Sequence, residues 1–374
     1  MPKTSFMERK EQKLAKKRLY HASYLKAYEY QLQKEGDVEA ELHLNDKKEK
    51  FTKQEEKYLK KAQRQDDRQK HRVWEIDLLR AIVIFGMLIE HLLFDFVDMF
   101  PSIFNRNAYL SVPFFNTMYN FSFEYWNHPV RIAIRLLGLV VLAVLIGINT
   151  RFSRNNLKRG LIIFGIGVLM SLVFFVGGKL TITGYVLNNI LVTYGLSLLI
   201  YCGVEAIFKR FKKAWPWICL GIGVAILVSW GFVRYANPRA NVPDKYNNFW
   251  LIYNGYAGSI PNLYSLKNAN FGEIIKTIIG INYYGEDWLG LLPTLGYLFI
   301  GAFIGVTVYK NGLSLLHYFD KEGKMTFNER FNRSTKGFLF FGHHTLWIYV
   351  LHQVVYIVLM LFIAGLCMGV PLAF

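Results

Sequence analysis

Long apolar stretches, each about the length needed to cross a bilayer, constrain this chain more than any other feature. A helix spans the hydrocarbon core with about 20 residues. The sequence is 53% hydrophobic although its net charge is +17, because the charged residues lie mainly between the apolar stretches. The pattern predicts an all-α, polytopic membrane helix bundle with about seven spans. We place the spans at roughly 75–97, 129–149, 159–178, 186–207, 215–234, 288–309 and 338–366.

A charged tail, residues 1–73, precedes the first span. It holds 20 Lys and Arg against 13 Asp and Glu. Apolar side chains recur every four residues from Tyr20, which predicts an amphipathic helix over roughly 8–33, and 52–71 is predicted to form a second, strongly charged helix. The tail either binds anionic lipid heads or is a solvated, partly disordered arm. We therefore expect a helical or partly disordered cytoplasmic tail, followed by a transmembrane domain over 74–374.

Basic loops predict the orientation of the bundle. Lys and Arg concentrate in 151–159, 208–213 and 310–336, and such loops face the cytoplasm. We thus expect a multi-pass protein of the cell membrane, with its N-terminus in the cytoplasm and its C-terminus outside. The apolar segment 108–126 is broken by Pro, Asn and Glu, which favours an interfacial or re-entrant stretch. The loop 235–287 is either part of an outer binding surface or an ordered connection.

The first span carries ionisable residues that a lipid-facing helix would exclude. Arg80 and His91 are eleven residues apart, so they share one helix face and lie about 16 Å apart along the axis. An ionisable residue inside a span is a functional hypothesis by default. Burial and charged neighbours can tune a histidine for general-base work. His91 is therefore the first catalytic candidate, and the alternative for a lone histidine is hydrogen-bonded packing.

Two further histidines are catalytic candidates. His352 comes about 21 Å into the last span and is followed by Gln353, and His91 has a similar depth in the first span. If the two helices pack together, these histidines can form a reactive centre. His128 lies at the mouth of the second span.

Four charged residues near the outer ends of spans are substrate-binding candidates: Asp95, Arg131, Arg135 and Asp287. The two arginines are one helical turn apart, and they either bind an anionic substrate or pair with Glu90 or Asp95. Asp287 either begins a helix or contacts substrate. The three cysteines lie in apolar runs without a metal-binding spacing, so no metal site is predicted.

Two motifs carry a family resemblance. The stretch RVWEIDLLRAIVIFGMLIEHLLFDF (72–96) resembles the opening span of bacterial proteins like the catalytic domain of heparan-α-glucosaminide N-acetyltransferase. More distantly, its Arg and His spacing is similar to that of the acyltransferase-3 family. The likeness continues to FFGHHTLWIYVLHQ (340–353) and covers roughly 72–366. Two positions depart from the expected pattern, since Ala81 stands in place of a glycine and Val192 in place of a histidine.

The resemblance implies an acetyl-CoA-dependent transmembrane acyltransferase. Acetyl-CoA would be bound from the cytoplasm as acyl donor, and the acetyl group would pass to an amino or hydroxyl group of an extracytoplasmic glycan or amino sugar. His91 would take the acceptor's proton or carry the acetyl group, and His352 would orient His91 or polarise the thioester carbonyl. The residues implied in binding the nucleotide phosphates are Arg80, Arg154, Lys158 and Arg159.

Partners and rival functions follow from the same residues. Besides the glycan, membrane lipids are expected partners, nucleic acid is not, and a homo-oligomer stays open. A membrane transporter or proton-coupled permease could use the buried Arg, His and Glu groups as a relay. No clear inverted repeat is visible, which weighs against a transporter. A third alternative is a non-catalytic partner in envelope assembly.

Overall fold

The computed structural model describes residues 5–35, 38–70, 73–180, 189–236, 271–280, 289–310, 312–316 and 327–368. Every regular element in these ranges is an α-helix. The chain divides into two compact units, Met1–Val73 and Trp74–Phe374.

The first unit is a pair of long helices, α1 (Ser5–Glu35) and α2 (Val38–Lys70). The two helices pack against each other, with Leu14, Leu44 and Ala62 buried. Both helices are longer than the sequence predicts, because their charged stretches continue the helix beyond the apolar positions.

The tyrosine stripe that predicts α1 is only partly covered by α2. Tyr20 is 70% exposed and Tyr24 42%, whereas Leu14 is 5% exposed. Tyr24 lies at the edge of the contact with α2, where its ring meets Phe51 edge-on and its hydroxyl accepts from Lys47 at 3.2 Å.

The second unit holds thirteen helices within the described residues. They are α3 (Trp74–Val97), α4 (Met99–Ile103), α5 (Arg106–Ser111), α6 (Pro113–Asn127), α7 (Pro129–Ile148), α8 (Asn156–Leu180), α9 (Ile190–Phe208), α10 (Trp215–Ala236), α11 (Phe271–Ile279), α12 (Leu291–Thr307), α13 (Phe327–Ser334), α14 (Lys336–His343) and α15 (Thr345–Met368). Among the described helices, five are long and apolar enough to cross a membrane, namely α7, α8, α9, α10 and α15. The predicted all-helical membrane bundle is confirmed.

Two of the seven predicted spans differ from these five helices. Helix α3 has 24 residues, but five Asp, Glu and Arg side chains interrupt its apolar character. Helix α12 has 17 residues, about 26 Å of helix, slightly less than the hydrocarbon core. Most of the side chains of α12 are buried against α7, α9 and α10, so its neighbours and not lipid surround it.

The last predicted span, 338–366, is two helices. Helix α14 ends at His343, and α15 begins at Thr345. The Thr345 hydroxyl donates to the Gly342 carbonyl at 2.8 Å, a side-chain bond that competes with regular helix bonding. Gly342 also packs directly on the backbone of α3, so the break lies where α14 crosses α3.

Short helices occupy the segment that is predicted to be interfacial or re-entrant. Helices α4, α5 and α6 follow α3, and an aromatic cluster that includes Phe100, Tyr109 and Phe115 fills the space between them. Most of the long loop 235–287 lies outside the described residues, and α11 is its described part.

Small residues let the core helices approach closely. A Cβ on Gly147 of α7 would collide with the Leu298 carbonyl of α12, and a Cβ on Gly301 would collide with the Val144 carbonyl. Such contacts are typical of helix packing in membranes. Asn189 caps α9 by accepting from the Val192 N–H at 2.9 Å, and its amide donates to α8.

The contacts of α3 define two ends of the bundle. At the first, which we name the basic end, residues 75–80 contact Asn149, Leu315 and His343. At the second, which we name the histidine end, residues 90–95 contact side chains of α6, α7 and α15.

Candidate functional site

A pair of histidines lies at the histidine end of the bundle. His91 of α3 and His352 of α15 are joined by a hydrogen bond of 2.7 Å between Nδ1 of His91 and Nε2 of His352. His352 is buried, with 7% of its surface exposed, and the Tyr349 ring packs beside both imidazoles. The sequence predicts similar depths for the two histidines in their helices. Because α3 and α15 pack against each other, the two rings meet.

The hydrogen bonds of the pair fix which nitrogen carries each proton. His352 Nδ1 lies 2.6 Å from the Tyr349 carbonyl, which can only accept, so Nδ1 must donate. In the neutral ring, His352 Nε2 then accepts from His91 Nδ1. The remaining nitrogen, His91 Nε2, keeps its lone pair. The pair therefore presents one oriented basic nitrogen.

A second polar contact between α3 and α15 lies one turn further along. The Gln353 amide donates to both oxygens of Asp95, each at 2.8 Å, and approaches Met99 Sδ at 3.0 Å. Asp95 is 1% exposed. The contact locks the two helices beside the histidine pair.

Arg131 forms a buried ion pair with Glu90. Its Nε lies 3.0 and 2.9 Å from the two carboxylate oxygens, and its Nη2 also contacts Glu90. The two side chains are 4% and 15% exposed. The sequence left two roles open for Arg131, substrate binding and an ion pair with Glu90 or Asp95. The structure contains the ion pair with Glu90.

Aromatic side chains of α6 complete this cluster. The Arg131 guanidinium lies 3.4 Å from the centre of the Trp126 ring, and that of Arg135 lies 5.4 Å from it, within cation–π range. The Tyr125 hydroxyl donates to Glu90 at 2.7 Å. Burial, reinforced by this bond to Glu90, raises the pKa of Tyr125 to about 12, so the hydroxyl keeps its proton as donor.

His128 lies apart from the histidine pair. It is exposed at the junction of α6 and α7 and lines an open cleft of about 320 Å³. The other lining residues are Phe121, Glu124, Tyr125, Val130, Arg131 and Ile134. The cleft borders the Glu90–Arg131 pair through Arg131. Asp287, the remaining substrate candidate, lies outside the described residues.

Arg80 belongs to a network at the basic end. It donates to Asp77 at 2.9 Å and to the Asn149 side chain. Asp77 is 6% exposed, and its second oxygen lies 3.1 Å from His343 Nε2. Helix periodicity places Asp77 near the Arg80 face, but it does not predict the partners Asn149 and His343, whose approach depends on tertiary packing.

The other predicted phosphate-binding residues separate into two kinds. Arg159 donates at 3.1 Å to the carbonyls of Asn149 and Ile146, so it caps the C-terminal turn of α7. Arg154 and Lys158 are exposed. Arg154 lies in the loop before α8 and Lys158 in its first turn. Such exposed cations suit phosphate oxygens, whereas Arg159 contributes structure and local positive charge.

The two departures from the family pattern lie at helix contacts. Ala81 is fully buried where α14 crosses α3. The Val192 N–H lies where α9 meets Gly167 of α8, so closely that a Cβ on Gly167 would lie 2.5 Å from it. The backbone at Val192 is therefore part of the close contact between α8 and α9. In the described part of the chain, no three His, Cys, Asp or Glu residues are placed to hold a metal.

Comparison with known proteins gives one result. A family model described as heparan-alpha-glucosaminide N-acetyltransferase, catalytic, matches residues 72–354. The match begins two residues before the second unit, and it includes both the Arg80 network and the histidine pair. Searches of curated proteins and of solved structures gave no match.

Proposed function

Because the chain belongs to the heparan-alpha-glucosaminide N-acetyltransferase catalytic family, whose function is of the membrane N-acetyltransferase kind, we propose that it moves an acetyl group from acetyl-CoA to an amino or hydroxyl group of an extracytoplasmic glycan. The observation that carries the proposal is the bond between His91 Nδ1 and His352 Nε2. It leaves a basic nitrogen oriented inside a bundle of this family.

His91 acts as the general base in this proposal. Acetyl-CoA supplies the activated thioester. As the acceptor nitrogen or oxygen bonds to the carbonyl carbon, His91 Nε2 takes the acceptor's proton. The C–S bond then breaks, and the proton passes to the departing thiolate. His352 Nε2 accepts from His91 Nδ1 throughout, and so stabilises the imidazolium that forms.

Acyl transfer through His91 itself is the second route. His91 Nε2 would attack the thioester carbon, release the thiolate and hold the acetyl group until the acceptor takes it. The two routes differ in whether acetyl label stays on the protein when acceptor is omitted.

Arg154 and Lys158 bind the donor's phosphates in this proposal, with Arg80 at the mouth of the path. The residues fit the group, because exposed Arg and Lys match phosphate oxygens. Arg80 and His91 are separated by about 16 Å along α3, a distance on the order of a pantetheine arm. We assign the basic end to the cytoplasm, since its loops are the most basic ones.

Purified full-length protein in nanodiscs tests the proposal. Acetyl-labelled acetyl-CoA is added with and without glucosamine, and CoA release and labelled acceptor are measured. We expect transfer by the native protein and its loss in His91→Ala. The matched control is His344→Ala, since His344 is exposed at the basic end and its ring lies against the carbonyl and the ring of Phe340 in α14.

Other outcomes separate the alternatives. Saturable acetyl-CoA binding without turnover would leave the donor site in place and reject glucosamine as acceptor. A folded sample that neither binds acetyl-CoA nor releases CoA would contradict the acetyltransferase proposal. Proton flux coupled to a solute, measured after reconstitution of the same protein into sealed liposomes, would then favour the permease.

A further inference from the structure

The paired helices α1 and α2 lie outside the family match, which begins at residue 72. Contacts between the two helices are specific. Lys48 pairs with Glu29 at 2.7 Å, Arg18 pairs with Glu55, and the His21 ring stacks on Phe51 with centroids 3.9 Å apart. The side of α1 that carries these residues is therefore occupied by α2.

The opposite side of α1 is basic and aromatic. At about 100° per residue, the exposed side chains that share it between residues 12 and 30 form one continuous strip. Its members are Gln12, Lys13, Lys16, Leu19, Tyr20, Ser23, Lys26, Ala27 and Tyr30. Leu19, Tyr20 and Tyr30 are each about 70% exposed. We name this strip the outer face of α1.

The outer face contains no acidic residue. The two glutamates of this part of the helix, Glu11 and Glu29, lie toward α2, where Glu29 pairs with Lys48. Its lysines have no acidic partner among the described residues. Within the part of the chain that the structure describes, no acidic side chain therefore neutralises the positive charge of this face.

The exposed side of α2 has the opposite arrangement. Its lysines alternate with acids, and neighbouring turns pair with each other, as in Lys50 with Asp46 at 2.7 Å and Lys53 with Glu49. A surface of this kind is suited to water. Helix α2 is also rich in lysine, but its lysines alternate with acids. The basic, acid-free surface on the outer face of α1 therefore does not follow from lysine content alone.

We propose that the outer face of α1 binds the anionic surface of the bilayer in which the chain is embedded. Lysines near anionic headgroups each gain about 1 kcal/mol, and Leu and Tyr side chains insert at the boundary between headgroups and acyl chains. Only residues 71–73 separate α2 from α3, so the membrane is present at a high effective concentration. The proposal does not depend on the acetyltransferase function.

Hydrogen–deuterium exchange on the full-length protein in nanodiscs tests this docking. One set of discs is zwitterionic, and the other contains about one third anionic lipid. We expect α1 peptides over 12–30 to exchange more slowly in the anionic discs, while α2 peptides serve as internal reference. Raising the salt to about 1 M, where the Debye length is about 3 Å, should remove the difference.

Charge reversal supplies the matched variants. Lys13→Glu/Lys16→Glu/Lys26→Glu should lower the docking equilibrium at least about a hundredfold, because each lysine near an anionic surface contributes about fivefold. Lys50→Glu/Lys57→Glu/Lys60→Glu changes the same number of charges on α2 and should keep the protection of α1.

Three results would overturn the inference. One is equal protection of α1 in zwitterionic and anionic discs. Another is protection that follows the number of protein copies per disc, which would assign the face to a second copy of the chain. The third is equal loss of protection in the two triple variants, which would show a non-specific charge effect.

Discussion

At the scale of single residues, the histidine pair derives its chemistry from one backbone carbonyl. Tyr349 C=O fixes the proton on His352 Nδ1, His352 then accepts from His91, and His91 Nε2 is left with the lone pair that our proposal uses as the base. The second histidine thus acts as an acceptor that orients the first. Another side chain that accepts a hydrogen bond at position 352 should therefore retain part of the activity.

Substitution of His352 tests this order of donors. His352→Ala leaves His91 Nδ1–H without its acceptor, and we expect acetyl transfer to fall by about 10²-fold, mainly in kcat. His352→Gln restores an acceptor oxygen and should retain at least about ten times more activity than the alanine variant. The measurement is kcat and KM for CoA release. Equal activities of the two variants would rule out a role as acceptor.

The Glu90–Arg131 pair is a structural element in our assignment. Arg131→Met leaves a buried carboxylate without its cation, which costs about 3–5 kcal/mol. The double variant Glu90→Gln/Arg131→Met removes both charges and should be considerably more stable than Arg131→Met alone. Unfolding in detergent, followed for Arg131→Met, for Glu90→Gln and for the double variant, gives the coupling. Additive effects would contradict a direct stabilising pair.

At the scale of helices, the crossing of α14 over α3 depends on a single glycine. A Cβ on Gly342 would collide with the Asp77 carbonyl, and it would come within 3.2 Å of the Ala81 nitrogen. Both contacts are with backbone, so the helix itself must move. The same crossing brings His343 to Asp77, so the packing and the polar network depend on one another.

Alanine substitutions at two glycines of α14 separate packing from helix propensity. Gly342→Ala should destabilise the protein by about 1–3 kcal/mol, because the helices must separate. A methyl group added at Gly337 would meet nothing within 4 Å, so Gly337→Ala should be neutral or stabilising by up to about 1 kcal/mol. Thermal unfolding of both variants in one detergent compares them. A neutral Gly342→Ala would mean that α14 is not held tightly on α3.

Sequence patterns predicted the helices better than their partners. Pro129 at the first turn and the polar stretch after Ile148 bound α7 closely, because both signals are local. The approach of Asn149 and His343 to the Arg80 network was not predictable, since it depends on which helices become neighbours. The buried side of α1 was missed for the same reason: the periodicity starts from Tyr20, and only the packing of α2 determines that Leu14 is buried while Tyr20 stays exposed.

At the scale of the whole molecule, the candidate cation site and the histidine pair lie at opposite ends of α3. Arg80 contacts Asn149 at the basic end, where the exposed Arg154 and Lys158 follow in the chain. His91 contacts His352 at the other. A donor that enters between the cations and an acceptor that reaches His91 therefore approach from different sides. Under our proposal, transfer across the membrane would therefore depend on the whole bundle and not on one end of it.

Sealed vesicles of known orientation test this arrangement directly. With the basic end outward, labelled acetyl-CoA is added outside and glucosamine is enclosed, and we expect labelled product only inside. Vesicles of the opposite orientation should be inactive, because acetyl-CoA does not cross the bilayer and cannot reach Arg154 and Lys158. Product on the same side as acetyl-CoA would show that donor and acceptor share one entrance, and the assignment of the two ends would then be wrong.

Charge reversal tests the two cations of the basic end. Arg154→Glu/Lys158→Glu should raise the KM for acetyl-CoA at least about tenfold, since charge reversal repels its phosphates. Lys212→Glu, on another exposed basic turn, is the control and should leave KM near the native value.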